Sequence, residues 1–380
     1  MPWRMLLKGA LLPTLAAALI ALAPAANAFN YCGRAHAVFR EPLPYVGDSD
    51  WGVAAQPDPR RNCSLGLMAS NHIGYYRAQL NWGLVERVQG AYDWSPYDQL
   101  VADVASHHMH VLFILIGDPA FASTRPPGAP LSAPYPPRDP AAFAQFAALA
   151  ARRYGPGGSF WRSNPNVPYY PVRAWEIWQE MDLPESWATP NLRAYVRLLR
   201  PTYRAIHGVN RHATVIVGGM SFDCKGTSCS RRGSDEYRLI SELYRYGAHG
   251  YFDALGIHPY SPTVAQAEER LWAARGLLNS HGDRRKGIWA TEFGWAGGDP
   301  DAFKTNARKQ RRSVIEFMRF VQRERSRLRL KELTWFGWQD NVYGPGPTNW
   351  WGYHLGLLST SGQPKPALAA MSSAAWRLSR

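Results

Sequence analysis

Two glutamates stand out in the sequence because each follows an apolar run that contains tryptophan. Glu180 ends the segment AWEIWQE at 174–180, and Glu292 ends the segment IWATE at 288–292. A charged side chain among apolar neighbours is costly without a partner, so a functional role is favoured. Two carboxylates that meet at one cleft can hydrolyse a glycosidic bond, because one protonates the leaving oxygen while the other attacks the anomeric carbon or activates water. A pair of salt bridges at the rim of the fold is the structural alternative.

The elements that would position these glutamates alternate along the chain. Eight short apolar runs predict strands, and amphipathic stretches between most of them predict helices. Continuous apolar runs are typical of strands buried on both faces of a parallel sheet. The alternation predicts a single α/β domain, a (β/α)8 TIM barrel; the runner-up, a doubly wound open sheet, lacks a glycine-rich turn after an early strand. The strand segments are Gly52–Ala55, Gly74–Leu80, Val111–Gly117, Val172–Trp178, Ala213–Gly219, Ala254–His258, Gly287–Thr291 and Leu333–Gly337, and the helical segments are Tyr97–His108, Ala141–Tyr154, Leu192–Gly208, Asp235–Gly247, Ala265–Ser280 and Asp301–Arg327.

In such a barrel the ends of strands four and seven place Glu180 and Glu292 on one face, which is the face that carries active sites in this fold. Asp118 follows strand three in the segment GDPA at 117–120, so it lies on the same side. A substrate contact and a turn role are both open for Asp118. The 16 Trp residues exceed what a core of this size needs, and Trp82 after strand two is a candidate sugar platform, with core packing as the alternative.

The chain is basic, with 43 Lys and Arg residues against 29 Asp and Glu residues, which gives a net charge of +14. A basic protein is attracted to polyanions such as nucleic acid, anionic lipid or acidic polysaccharide. The densest basic run, residues 304–331, accompanies an apolar series, which favours a solvated helix face. A protein that binds polyanions through charge alone therefore remains one hypothesis.

The N-terminal segment predicts a secretory signal peptide over residues 1–28. Arg4 and Lys8 precede a largely apolar stretch, and the small residues of Ala26-Asn27-Ala28 form a cleavage site. The mature domain would then cover 29–380 and be exported to the periplasm or secreted. The apolar stretch is short and interrupted by proline, so a membrane span is not expected, with an uncleaved anchor as the alternative.

The four cysteines, Cys32, Cys63, Cys224 and Cys229, all fall in the mature part. An even number in an exported chain favours disulfides over metal ligation. Of the three possible pairings, Cys32–Cys63 with Cys224–Cys229 is favoured because the second pair encloses a short loop. Neither a C-x-x-C motif nor a histidine-rich ligand spacing is present, so neither a metal nor a cofactor is expected.

Several segments, in their order along the chain, resemble clan A glycoside hydrolases, and family 39 with its bacterial relatives most of all. These segments are YRAQLNW at 76–82, ERVQGAYDW at 86–94, IHPY at 257–260, WFGW at 335–338, GLL at 356–358 and GQPKPA at 362–367. None is decisive alone, but together and in this order they are specific, and the resemblance extends over nearly the whole mature chain. The resemblance implies a retaining enzyme with glutamates at the ends of strands four and seven.

The resemblance also implies roles for single residues. Glu180 would be the general acid/base and Glu292 the nucleophile, held ionised by Arg77 and Tyr260. His258 would line the same wall, and Trp338 would form the platform under the sugar. Trp178 is assigned to the substrate site, where desolvation by it and other apolar neighbours would keep Glu180 protonated.

One position departs from the family pattern, which has asparagine before the strand-four glutamate. Here that residue is Gln179, which keeps the amide and adds a methylene. The family asparagine binds the 2-hydroxyl of the sugar, a contact that strengthens in the transition state. Gln179 would therefore reach a differently placed hydroxyl or weaken catalysis. Glu176, which lies deeper in the same strand, is interpreted as a support residue.

These observations predict a retaining β-glycoside hydrolase that acts on a poly- or oligosaccharide. The net charge and the resemblance together favour an acidic or bacterial exopolysaccharide over nucleic acid as the partner. A catalytically weak carbohydrate-binding barrel is the alternative that Gln179 motivates.

Overall fold

Eight parallel strands close into a barrel in which each strand pairs with the next along the chain and β8 pairs with β1. The computed structural model describes residues 51–54, 61–129, 134–221, 235–298, 306–340 and 351–378. The strands are β1 (Trp51–Ala54), β2 (Tyr75–Asn81), β3 (His110–Ile116), β4 (Ala174–Ile177), β5 (Thr214–Ser221), β6 (Ala254–His258), β7 (Gly287–Phe293) and β8 (Leu330–Phe336). The (β/α)8 barrel is therefore confirmed, and the doubly wound sheet is not the fold.

Helices surround this barrel. The described helices are α1 (Arg61–Ser70), α2 (Trp82–Val85), α3 (Ser95–Ser106), α4 (Pro140–Tyr154), α5 (Ser159–Ser163), α6 (Leu192–Val209), α7 (Asp235–Arg245), α8 (Val264–Ser280), α9 (Ala307–Leu328) and α10 (Pro366–Leu378). Side-chain caps fix where α6, α8 and α9 begin, since Asn191, Thr263 and Asn306 each accept a hydrogen bond from a backbone N–H of the first turn. None of the described helices is both long and apolar enough to cross a membrane.

Each predicted strand is present, with ends that differ by a few residues. The largest difference is at β8, which begins at Leu330 rather than Leu333 because Leu330 already pairs with Ile288 of β7. The helix predicted from Asp301 begins at Ala307, and residues 301–305 lie outside the described residues. Helix α1, between β1 and β2, was not among the predicted helical segments.

The barrel interior is apolar at its base and charged higher up. Leu112, Ala174, Ile216, Ala254 and Trp289 form a buried cluster inside the barrel. Because side chains alternate between the two faces of a strand, the residue two positions after an interior residue is interior as well. Glu176 follows Ala174 by this rule, so a charged residue enters the barrel directly above the apolar base.

The cysteine and signal-peptide predictions fall mainly outside the described residues. Cys63 is the one cysteine that the structure describes, and it is disulfide-bonded. Cys32, Cys224 and Cys229 lie outside the described residues, as does the predicted signal peptide over residues 1–28. The pairing and the signal peptide therefore stay predictions.

A buried ion pair ties the C-terminal segment to the end of β8. Lys365 Nζ lies 2.6 Å from Asp340, and it also donates to the carbonyl oxygen of His354 at 3.2 Å. Burial raises the pKa of Asp340 and lowers the pKa of Lys365, so neither charge is stable there without the other. Beside this pair, the carbonyl oxygen of Trp338 accepts hydrogen bonds from the backbone N–H groups of Leu357 and Leu358. The C-terminal segment thus anchors the β8 end.

We expect Lys365→Met to lower the free energy of unfolding by about 3 kcal/mol, because it leaves the Asp340 carboxylate buried without its partner. The double variant Lys365→Met with Asp340→Asn should recover most of this loss, since no charge is then left unpaired. Urea unfolding followed by circular dichroism measures both. Equal losses in the single and double variants would show that the ion pair does not anchor the segment.

Candidate functional site

Glu180 and Glu292 meet on the face of the barrel formed by the carboxyl ends of the strands. Glu180 follows β4 and Glu292 belongs to β7, while His258 ends β6 between them. One carboxylate oxygen of each glutamate and a ring nitrogen of His258 lie within 4.8 Å of one another. The closed barrel therefore brings together two acids that are separated by more than a hundred residues of sequence.

Glu292 is surrounded by groups that favour its ionised form. Its Oε1 accepts a hydrogen bond from Arg77 Nη1 at 2.8 Å, and its Oε2 accepts one from the Tyr260 hydroxyl at 2.9 Å. Burial alone would raise the pKa of Glu292. The positive charges of His258 and Arg77, with the two hydrogen bonds, outweigh burial and hold this pKa below its ordinary value.

Arg77 is fixed by a second buried carboxylate. Glu176, which is fully buried, accepts hydrogen bonds from Arg77 Nε at 2.7 Å and from Nη2 at 3.0 Å. The same Glu176 carboxylate accepts a bond from the backbone N–H of Gly219 at 2.8 Å. This two-pronged pairing sets the plane of the guanidinium and aims its Nη1 at Glu292. Glu176 is thus a support residue, as its position in the strand suggests.

The backbone after β4 turns sharply and presents the Glu180 side chain to the site. Trp178 and Glu180 both adopt left-handed conformations, with φ of 61° and 46°. Such conformations are strained for residues other than glycine, so neighbouring bonds must hold them. The Trp178 N–H donates to Leu115 O at 2.8 Å, and the Glu180 N–H donates to Gly219 O at 2.7 Å. The resulting position leaves the Glu180 side chain 20% exposed and accessible to a ligand.

His258 lies between the two glutamates and is fully buried. Its Nδ1 is 3.0 Å from Glu180 Oε1 and 3.7 Å from Glu292 Oε2. Burial by itself would lower the pKa of His258, but the two carboxylates raise it above its ordinary value. Glycine is required beside it, because a Cβ on Gly219 would lie 2.1 Å from His258 Nε2 and 2.4 Å from Thr291 Oγ1.

Glu180, His258 and Glu292 are the one group in the described part of the chain with atoms close enough together to ligate a metal ion. The Arg77 guanidinium already contacts Glu292 and supplies a positive charge there. A divalent cation would therefore compete with Arg77 and with a protonated His258 for the same carboxylates. The donor set fits a proton-transfer site better than a resident metal site.

Gln179 also joins this network. Its Oε1 accepts a hydrogen bond from Arg77 Nη2 at 3.0 Å. A guanidinium can only donate, so the amide oxygen must face Arg77 and the amide NH2 is left as the donor for a ligand. The side chain is partly exposed, in keeping with a position at the surface of the site.

Two tryptophans assigned to substrate contacts belong instead to the core. Trp178 is fully buried, donates through Nε1 to Ser186 O at 2.7 Å and packs on Trp187. Trp82 is 2% exposed and donates to Glu86 Oε2 at 2.6 Å. Both substrate assignments were wrong, because neither a place beside Glu180 in sequence nor a place at the end of a strand fixes the direction of a side chain. Both rings pack among other aromatic side chains of the core.

At the end of β8, Trp338 is 4% exposed, and its indole N–H has no hydrogen-bond partner among the described residues. That N–H is itself buried, so Trp338 presents no accessible donor at the surface of the site. Phe336, which the sequence analysis did not single out, contacts Tyr260 edge to face with ring centroids 6.3 Å apart and is partly exposed. Strand alternation could have found it, because Phe336 lies two residues after Thr334 in β8.

Asp118 follows β3 and is partly exposed, yet one oxygen, Oδ2, is buried without a hydrogen-bond partner in the described residues. Burial raises the pKa of Asp118 to about 6, against the opposing effects of a Ser123 hydrogen bond and the charge of Arg125. The side chain therefore lies in an environment that favours its protonated form. Asp118 makes neither a hydrogen bond nor an ion pair with Glu180 or Glu292 in the described part of the chain.

Comparison with solved structures finds the same barrel in glycoside hydrolases. The chain superposes on a family 39 glycoside hydrolase from Bacteroides cellulosilyticus WH2 with a TM-score of 0.63 and 20% identity, covering 90% of this chain and 66% of that one. A GH39 enzyme from Xanthomonas axonopodis pv. citri gives 0.62 and 17%, covering 87% and 66%. A monomeric beta-xylosidase from Caulobacter crescentus CB15 gives 0.62 and 15%, covering 87% and 68%.

At these identities the likeness concerns the fold, which is the barrel expected for family 39 and its clan. The chain spans about two thirds of the length of these three structures. No protein-family model matches the sequence, and no curated protein matches it significantly.

The raised pKa of Asp118 predicts a pH-dependent effect on stability. Because the pKa in the fold, about 6, lies above that of the unfolded chain, the favourable contribution of protonated Asp118 is lost as pH rises from about 4 to above 6. We therefore expect Asp118→Asn to be more stable than the parent by about 1 kcal/mol near pH 8, after allowance for solvent screening, and to show little gain near pH 4. Urea unfolding at both pH values, with the exposed Glu185→Gln as control, measures this. A gain of the same size at both pH values would contradict the assigned cause.

Proposed function

We propose that this chain is a retaining β-glycoside hydrolase in which Glu292 is the nucleophile and Glu180 is the general acid/base. The observation that supports the proposal most directly is that the two neighbouring carboxylates lie in different environments. Glu292 is held ionised by Arg77 and Tyr260, whereas the Glu180 side chain is 20% exposed to solvent and lies beside His258. Oxygens of the two lie within 4.8 Å, which suits the separation of about 5–5.5 Å in retaining enzymes and not the 6.5–9.5 Å of inverting ones.

In the first step, Glu292 attacks the anomeric carbon while Glu180 gives its proton to the leaving oxygen. The nucleophile loses its negative charge as the ester forms, so the bonds from Arg77 and Tyr260 weaken at that moment. They regain their strength when the carboxylate is released, which makes Glu292 a good leaving group in the second step. In that step Glu180 deprotonates the water that attacks the glycosyl-enzyme.

The protonation of His258 depends on the charges of the two glutamates, and the charge of Glu292 changes during the reaction. Its Nδ1 lies nearer to Glu180 than to Glu292, so a proton on Nδ1 is hydrogen-bonded to the acid/base in the resting state. When Glu292 becomes an ester, one of the two charges that stabilise protonated His258 is lost. The pKa of His258 then falls, because the negative charge of Glu292 is one of the causes that raise it.

The substrate is proposed to be a poly- or oligosaccharide. Gln179, which is partly exposed, presents its amide NH2 to a sugar oxygen. The barrels that resemble this chain include a beta-xylosidase and family 39 glycoside hydrolases, which supports glycoside chemistry. Export to the periplasm or beyond is part of the proposal, on the strength of the predicted signal peptide.

The proposal predicts that Glu292→Gln and Glu180→Gln lower kcat by at least about a thousandfold, since each glutamate is needed in both steps. A panel of aryl β-glycosides and defined β-linked oligosaccharides, with products read by mass, identifies a substrate. The exposed Glu269→Gln, on the outer helix α8, serves as the matched control and should keep full activity. Unchanged circular dichroism would show that the variants fold.

Azide, added as an external nucleophile, distinguishes the role of the nucleophile from that of the acid/base. With an activated aryl glycoside, Glu180→Ala should form a β-glycosyl azide, because the nucleophile remains, and Glu292→Ala should form the α-anomer by direct attack. Nuclear magnetic resonance of the first product of the parent enzyme should show retained configuration. Inverted product, or full activity of Glu292→Gln, would overturn the mechanism. Glycan binding with no product from any member of the panel would select the carbohydrate-binding alternative.

A further inference from the structure

Helix α6 carries four arginines in one row. Arg193, Arg197, Arg200 and Arg204 follow one another at spacings of four, three and four residues, which places them on the same face of the helix. Arg193, Arg197 and Arg204 are exposed, and Arg200 is partly exposed. The row extends about 16 Å along the helix axis, a length comparable to several sugar units.

Three of these guanidinium groups lie against tyrosine rings. Arg193 stacks over Tyr246 at 5.2 Å from the ring centroid, and Arg200 and Arg204 lie over Tyr251 at 4.8 and 4.9 Å. Arg204 Nη2 also donates to the Tyr251 hydroxyl at 2.7 Å. Stacking fixes the guanidinium plane and leaves N–H edges free, so less conformational entropy is lost when an oxyanion is bound.

No acidic side chain of the described residues lies within ion-pair distance of the four arginines. The nearby Glu242 is 3.8 Å from both Arg238 and Arg245, and Asp253 pairs with His207 at 2.8 Å. Like charges three and four residues apart on a helix destabilise it, and no acid in the described part of the chain offsets the repulsion. An external anion along the row would relieve it.

The helix that carries the row begins at the active-site end of the barrel. Helix α6 follows the segment after β4 that carries Glu180, so its first turn lies at the end of the barrel where the two glutamates meet. Arg193 is in that first turn, and Arg204 lies toward the other end of the helix. A linear chain that leaves the site on this side can follow the row.

We propose that this arginine row is a binding surface for an acidic polysaccharide, whose carboxylates pair in succession with Arg193, Arg197, Arg200 and Arg204. The inference rests on the proposed glycosidase function and names the class of its substrate. A single file of charges fits one linear polymer. A bilayer is a poorer fit, because none of the exposed large apolar side chains found in the described residues belongs to α6.

The test uses the full chain with Arg197, Arg200 and Arg204 all changed to alanine. Polygalacturonate is the probe, because its α linkages let it report binding of a linear polycarboxylate without cleavage by a β-glycosidase, and its fully methyl-esterified form is the neutral counterpart. The matched control changes Arg311, Arg312 and Arg319 to alanine, since these are exposed arginines of α9 and remove the same charge. We expect affinity for polygalacturonate to fall about tenfold or more in the α6 variant and to change less than about twofold in the α9 variant.

A second α6 variant, with the same three arginines changed to lysine, separates charge from guanidinium geometry. It should recover only part of the affinity, because lysine keeps the charge and loses the flat, two-pronged contact. The methyl ester should not bind. Equal losses in the α6 and α9 alanine variants, or equal binding of the neutral polymer, would overturn the proposal.

Duplex DNA and phosphatidylserine vesicles test the other polyanions. If either binds as tightly as polygalacturonate and is lost equally in the α6 alanine variant, the row is not a polysaccharide surface. Hydrolysis of a small neutral aryl glycoside, identified by the substrate panel, is measured with the same variants and should be unchanged. If the parent hydrolyses no glycoside, the proposed function fails, whereas the polygalacturonate result still decides the binding surface.

Discussion

The site depends on one buried positive charge, the guanidinium of Arg77, shared between two carboxylates. Glu176 fixes the plane of this guanidinium, and Glu292 accepts a hydrogen bond from its Nη1 at 2.8 Å. A buried charge without partners would be prohibitive, so removing any member leaves the others uncompensated. The arrangement also gives the two glutamates of the site different surroundings, because Arg77 contacts Glu292 and does not contact Glu180.

Close backbone packing at the β4 and β5 ends makes this network possible. Gly219 donates its N–H to Glu176 and accepts from the Glu180 N–H, and its missing side chain leaves room for His258. The left-handed turn at Trp178 and Glu180 is therefore held on both sides. Gly219 therefore adjoins the support carboxylate Glu176, the proposed acid/base Glu180 and His258. The strained backbone after β4 lies at the place where the chemistry is proposed.

Most of the fold and much of the candidate site could be predicted from the order of residues along the chain. Apolar runs with regular spacing located all eight strands, because a parallel barrel buries both faces of each. Arg77, His258 and Tyr260 could be named from short segments that resemble family 39. The assignment failed for Trp178, which was taken from its place beside Glu180, and for Trp82, which was taken from its place after strand two, because both side chains turn into the core. It also passed over Phe336, whose place beside Tyr260 follows from strand alternation and barrel closure.

The sequence by itself determined which chemical groups are present and at which strand ends they lie. A (β/α)8 barrel with glutamates after β4 and in β7 follows from periodicity and local motifs, which are properties of short stretches of chain. Only the tertiary structure decided the distances and environments: Gln179 turns its amide oxygen to Arg77, and among the described residues no acidic side chain pairs with the four arginines of α6. These features depend on contacts between residues far apart in sequence. Strand or helix periodicity gives the face on which a side chain lies, but not its partners or the charges around it.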